Sequence, residues 1–185
     1  MSDNKSKLEE RIIAGLYGQP ELKKGEKNRF LGEYKERVIK YLTYQQVVEV
    51  GTYPEILSAI RHSAAKKLII DRKVNLKSAH DYIKLARDNN LQFKRISSPE
   101  LVGDIALVVV SDQAVEVKNR GVLSREEQLQ QKGISDYIIR NVGARLCAQC
   151  WSELARKAPE ELINYQKSGW LDQITGHKCV CEEGD

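Results

Sequence analysis

The stretch from Val47 to Ile70, VVEVGTYPEILSAIRHSAAKKLII, constrains the fold most, because its hydrophobic pattern changes period twice. Val47, Val48 and Val50 form a β-branched run suited to a strand. Gly51-Thr52-Tyr53-Pro54 breaks that run, and a proline tolerated in the first helical turn puts the helix start at Thr52 or Tyr53. From Pro54 onward Ile56, Leu57, Ile60 and Ala64 follow helical spacing. Lys66-Lys67 closes the helix, and Leu68-Ile69-Ile70 reads as the next buried strand. A strand–helix–strand unit of this length predicts the heart of an α/β domain.

The flanking chain extends the same alternation. Leu8, Ile12, Ile13 and Leu16 predict a short helix ending at Gly18, followed by an irregular polar segment through Lys27. Phe30, Tyr34, Val38, Tyr41 and Leu42 predict a helix over 30–42. A helix from Lys77 to Asn89 carries Ala79, Tyr82, Ile83 and Ala86 inward, and Phe93 and Ile96 mark a short strand. Ser97-Ser98-Pro99-Glu100 has the composition of a helix start. Ile105 to Val110 is continuously apolar, so both of its faces need cover. The predicted fold class is α/β, a central sheet sandwiched by helices, with right-handed crossovers where strands run parallel. Residues 1–122 form this domain. Residues 123–185 form a second unit: a polar helix through SREEQLQQ, acting as linker or lid, then a C-terminal cysteine module reached through Ile134, Ile138, Ile139 and Val142.

All four cysteines lie in that module, as Cys147-Ala148-Gln149-Cys150 and Cys179-Val180-Cys181. A C-x-x-C turn lets two thiolates face one ion, and a second pair completes a tetrahedron. C-x-C is the less usual second pair, and His177 stands close enough to replace one thiolate. The spacing predicts a structural zinc site at Cys147, Cys150, Cys179 and Cys181. The large apolar residues of the tail (Trp151, Leu154, Leu162, Ile163, Tyr165, Trp170, Leu171 and Ile174) are too few to hold it without a staple. A redox dithiol at Cys147/Cys150, disulfides and an iron–sulfur cluster are the competing readings. Trp151 and Trp170 pack on the module's own cage or on the main domain, or they offer a surface to a protein partner.

Ordinary composition, with 41% hydrophobic and 30% charged residues, excludes a disordered or membrane-spanning chain. The start, MSDNKSKLEERI, lacks the apolar core of a signal peptide, so the expected location is cytoplasmic. Charge is unevenly distributed: residues 61–95 carry ten Lys or Arg against three Asp, whereas 141–185 carry five bases and seven acids. A basic face of this kind attracts phosphate backbones through counterion release, although Lys-rich solvent faces of amphipathic helices look the same. No P-loop, dinucleotide fingerprint, nucleophile elbow or HExxH occurs, and His62 and His80 stand apart from any carboxylate or nucleophile. Four-thiolate coordination also leaves no open position for a substrate. The residues point to binding rather than catalysis.

Several blocks carry a family likeness: Gly18-Gln19-Pro20-Glu21, Phe30-Leu31-Gly32, Glu36-Arg37-Val38, Leu42-Thr43, Gln46-Val47, then Gly103–Val108 and Ser111–Val115. Together they resemble the YueI-like family of small, largely uncharacterised bacterial proteins, over roughly residues 8–120. The resemblance implies a fold similar to the ribosomal L30e-like and chorismate-mutase-like α/β group. In L30e-like RNA binders a glycine after the first strand opens a loop and helix start that grip a kinked RNA, and Gly51 and Thr52 occupy comparable places. The resemblance and the basic 61–95 stretch together point to RNA or ribonucleoprotein as partner, with Gly51, Thr52, Tyr53, Arg61, Lys66, Lys67, Arg72 and Lys73 as contacts and Tyr53 as a base-stacking ring. This chain departs from those binders where they carry Asn-Glu and Lys, having Tyr53-Pro54-Glu55 and Ser58 instead. The alternatives are a small-molecule binder or chorismate-mutase-like enzyme, and an adaptor acting through the zinc module.

Overall fold

The structure is a computed structural model that describes residues 23–169 and 179–181. The expected helix over 8–18, the Gly18–Glu21 block, Trp170 and His177 lie outside these residues. The first described helix, α1 (Lys24–Arg29), ends in a turn where Leu31 and Gly32 both take positive φ, which drives Phe30 and Leu31 inward.

The predicted helix over 30–42 is instead a turn and a strand. A single 3₁₀ turn (Lys35–Arg37) leads into β1 (Val38–Thr43). Phe30 and Tyr41 do meet, as helical spacing suggested, but edge to face across loop and strand at 5.8 Å. The strand predicted at Val47 is helix α2 (Tyr44–Val48). Its cause is local chemistry: Thr43 Oγ1 accepts from the Gln46 N–H and Gln46 Oε1 accepts from the Thr43 N–H at 3.0 Å, a reciprocal capping box. Thr43-x-x-Gln46 stands in the sequence and outweighs the β propensity of the valines, of which Val48 and Val50 face solvent.

From Pro54 to Val110 the expected order of helices and strands is found, with two exceptions. Helix α3 (Pro54–Ile60) starts on its proline and stops short of Ala64. Strand β2 (Lys67–Asp71) follows, then α4 (Leu76–Asp88), capped by Asn75, whose Oδ1 accepts the Ser78 N–H at 2.8 Å. Strands β3 (Gln92–Ile96) and β4 (Ile105–Val110) complete the sheet, and the helix expected near Pro99 is a turn. The sheet order is β1-β4-β2-β3, with β2–β3 parallel and both neighbours of β4 antiparallel to it. Tyr82, Ile56 and Leu107 lead the cluster under α3 and α4, while Phe30, Leu31, Ile69 and Val108 fill the opposite face. The four-stranded sheet thus lies between helices and apolar chain on both sides.

A separate cluster fills the C-terminal part. It draws on α5 (Arg125–Gln131), α6 (Asp136–Arg140), β5 (Arg145–Leu146), α7 (Ala148–Lys157), a 3₁₀ turn (Pro159–Asn164) and β6 (Gln166–Lys167), parallel to β5. Leu129, Ile134, Ile138 and Ile139 supply the apolar groups the tail seemed to lack, so α5 is not a bare polar linker.

This cluster meets the sheet domain at the Gly51 loop. Asn164 Oδ1 accepts the Thr52 N–H at 2.7 Å while its Nδ2 donates to the Thr52 carbonyl at 2.8 Å, two reciprocal bonds to one backbone residue. Beside it the Arg125 and Glu161 side chains, about 4% and 6% exposed, form an ion pair at 3.5 Å. Arg125 also stacks over the Tyr53 ring at 4.7 Å and donates to the Val50 carbonyl. Burial pushes the Glu161 carboxyl upward, with Arg125 pulling the other way. Gly51 sits at φ 81°, and an added Cβ would lie 2.6 Å from Asn164 Oδ1. Gly51→Ala should therefore destabilise the fold by about 1–3 kcal/mol from backbone strain alone, with the clash adding to it. In urea unfolding, Gly51→Ala should cost less in an Asn164→Ala background than alone, because the closest clash is gone while the backbone strain and the approach to Val142 remain.

Candidate metal centre

The four cysteines converge from two stretches of chain. Cys147 leaves β5 in extended conformation and is the N-cap residue of α7, yet its side chain makes no capping bond and turns toward the other sulfurs. Cys150 follows in the first turn of the helix, so the C-x-x-C spacing brings the two sulfurs within 3.5 Å. Cys179 and Cys181 return on a tight turn, and the Cys147 N–H donates to Cys179 Sγ at 3.2 Å. Cys150–Cys179 and Cys147–Cys181 sulfur distances are 3.7 and 3.9 Å, and all four sulfurs lie within 4.8 Å of one another. Leu146, Leu154 and Val180 seal the inner side, with Trp151 half-buried against the same cluster.

This geometry discriminates among the donor-set readings. All four thiols are free, and a disulfide needs sulfurs about 2.05 Å apart. Four thiolates at about 2.3 Å from a tetrahedral ion stand about 3.8 Å apart, which matches the observed spacing. The set is compact enough for one ion. Burial acts to raise the Cys179 thiol, but backbone N–H groups of Cys181 and Cys147 outweigh it and bring it down to about 7. Burial pushes Cys181 up to about 11, and Cys150 is raised as well. Four ionised sulfurs this close repel one another unless a cation sits among them. The four residues are thus placed to ligate one metal ion together.

The nucleic-acid residues do not converge in the same way. Thr52 and Tyr53 are buried, Tyr53 completely, and Gly51 is packed on Asn164 and Val142. The base-stacking role expected of Tyr53 is thereby corrected, because no face of its ring reaches solvent. Its hydroxyl donates to Glu49 Oε2 at 2.7 Å and accepts the Arg125 N–H at 3.2 Å. Lys67 is tied to Glu33 at 2.8 Å, Lys66 approaches Asp112 at 3.8 Å, and Arg61 donates to Asn89. Exposed Arg72 and Lys73 follow the far end of β2, a five-residue strand roughly 16 Å long. The sequence held no sign that Asn164, 112 residues from Thr52, would cover the loop.

Architecture and centre together define a mixed α/β domain carrying an extension in which four thiols lie close enough to hold one metal ion. The family model described as "Protein of unknown function (DUF1694)" matches residues 5–120, and the chain belongs to that family. It is 28% identical over 134 residues to "Uncharacterized protein YueI" of Bacillus subtilis (strain 168), covering 72% of this chain and 98% of the relative. The crystal structure of the YueI protein from Bacillus subtilis superposes with a TM-score of 0.53 over 64% of this chain and 93% of that one, again at 28% identity. The YueI-like fold is thus shared, whereas the family match ends ahead of α5 and of all four cysteines. Among the described residues no helix is long and apolar enough to cross a membrane.

Tyr53→Phe tests the buried role of this ring. Losing the hydroxyl leaves Glu49 and the Arg125 N–H without their partner, and should cost about 1–3 kcal/mol in chemical denaturation. A base-stacking ring would instead leave stability intact.

Proposed function

We propose that this chain is a non-enzymatic binding protein of the YueI-like family whose C-terminal extension folds around one structural zinc ion. Cys147, Cys150, Cys179 and Cys181 would hold the ion, and the mutual approach of their sulfurs within 4.8 Å carries the reading. The chemistry zinc supplies there is cross-linking, since four thiolates leave no coordination position for water or substrate. The extension buries Leu146, Leu154 and Tyr165 and rests on the Gly51 loop through Asn164. A metal that fixes Cys150 to Cys179 thus keeps the 3₁₀ turn on that loop.

Native mass spectrometry of the full chain should show one bound zinc, removable by a strong chelator, and Cys150→Ser should lose it. Because metal-binding free energy in such modules is folding free energy, metal removal should melt α7 in hydrogen exchange. An extension that stays fully protected without metal ends the structural-zinc reading, and iron in the spectrum replaces zinc by iron. A second reading, contact with RNA phosphates, keeps support from exposed Arg61, Lys66, Arg72 and Lys73. It requires binding at about 20 mM salt that falls steeply by 200 mM, and absence of affinity at the lower salt removes it.

A further inference from the structure

A cleft of about 370 Å³ opens between α3 and α5. One wall is a single stripe of α3 and the turn beyond it: Glu55, Ser58, Ala59 and His62, at the i, i+3, i+4, i+7 spacing of a helix face. The other wall is Gln128 and Lys132 of α5, with Glu160 beside them. Ile39, Pro54 and Val117 give it an apolar lining. Small-ligand sites have this makeup, an apolar surface with a few converging polar groups.

Which ligand fits follows from which polar groups are already committed. Lys132 is paired with Glu160, and Lys40 at the rim donates to the Asn119 carbonyl at 2.6 Å. His62 Nδ1 accepts the Ala64 N–H, and the Gln128 amide nitrogen donates to the Leu123 carbonyl at 3.0 Å. The Glu55 carboxylate has no ion-pair partner among the described residues, and its Oε2 is shut from water without a hydrogen bond. What remains uncommitted are the Glu55 carboxylate, the Gln128 amide oxygen, the Ser58 hydroxyl and the His62 Nε2–H, and among these groups only Glu55 carries a charge. A desolvated carboxylate without a partner is costly, and a cation bringing its own donors relieves it.

We infer that the α3–α5 cleft binds a small primary amine with an apolar body, its ammonium directed to Glu55, Ser58 and Gln128 and its hydrocarbon against Ile39, Pro54 and Val117. An ammonium carries three donors and no acceptor, and its charge complements the Glu55 carboxylate, which no cation pairs among the described residues. The committed lysines leave an anionic ligand less to gain. Since α5 lies beyond the region that the family model matches, one wall of this site comes from the extension. The inference stands independently of the identity of the metal.

Benzylamine, benzoate and benzyl alcohol, titrated separately into the full-length metal-loaded protein and followed by amide chemical shifts, test it. Benzylamine should shift resonances of α3 and α5, and the other two should not. Glu55→Gln, nearly the same shape, should weaken benzylamine at least about tenfold, and Gln128→Lys, which adds a cation to the wall, should do the same. Glu100→Gln, a surface acid paired with Lys24 far along the chain, should leave binding unchanged. Unchanged thermal midpoints in these variants separate lost binding from lost folding. Benzoate binding as tightly as benzylamine, benzylamine failing to shift the cleft, or Glu55→Gln retaining full affinity would each overturn the assignment.

Discussion

A strand that is apolar on every side chain imposes the strictest demand in this molecule. β4 hydrogen-bonds to β1 on one edge and β2 on the other, and its residues from Ala106 to Val110 are buried. Neither of its faces can meet water, so helices must cover one and the α1 turn the other. At roughly 25 cal/mol per Å² of apolar surface removed from water, such a strand is where the domain concentrates its driving force. The rest of the sheet domain is arranged to satisfy it, from the Tyr82 side of α4 to the inward turn at Phe30 and Leu31.

The extension obeys a different physics. Its own apolar cluster is modest, and its seat on the sheet domain is polar: Asn164 against the Thr52 backbone, Arg125 against Glu161. Hydrogen bonds and buried charge pairs contribute little net stability, yet they tolerate no misplacement, since each partner left alone carries its full desolvation cost. They specify where the extension sits more than how firmly. Firmness has to come from the cluster and from whatever gathers the four sulfurs.

Much of this was legible in the residues, and the exceptions share a cause. The helix at Pro54, the strands around Ile69 and Val108 and the cysteine centre all followed from strong local signals. Val38–Thr43 misled because alternating and helical spacing coincide over six residues, and Val47–Val50 misled because propensity was weighed above the Thr43–Gln46 box. The Gly51 loop was correctly singled out as special but for another purpose. Its positive φ and its free backbone groups serve Asn164, and a partner 112 residues away leaves no trace in local pattern. Local rules read elements and the gathering of closely spaced cysteines well, and burial of a loop by a distant segment escapes them.

The sheet ends in two different kinds of border. Along β1 the Tyr41 N–H donates to the Arg120 carbonyl and Tyr41 bridges Gly121, so returning chain occupies part of that edge, and register shifts interrupt its ladder. Along β3 no such segment pairs among the described residues, but Lys94 is exposed and the Arg87 guanidinium lies over Phe93 at 5.0 Å. Positive charge on an open border discourages another strand from zipping on. The molecule is thus guarded at one rim by its own backbone and at the other by charge. Self-association through continuous β-pairing is disfavoured, and encounters with other molecules are left to the helical faces and the loops.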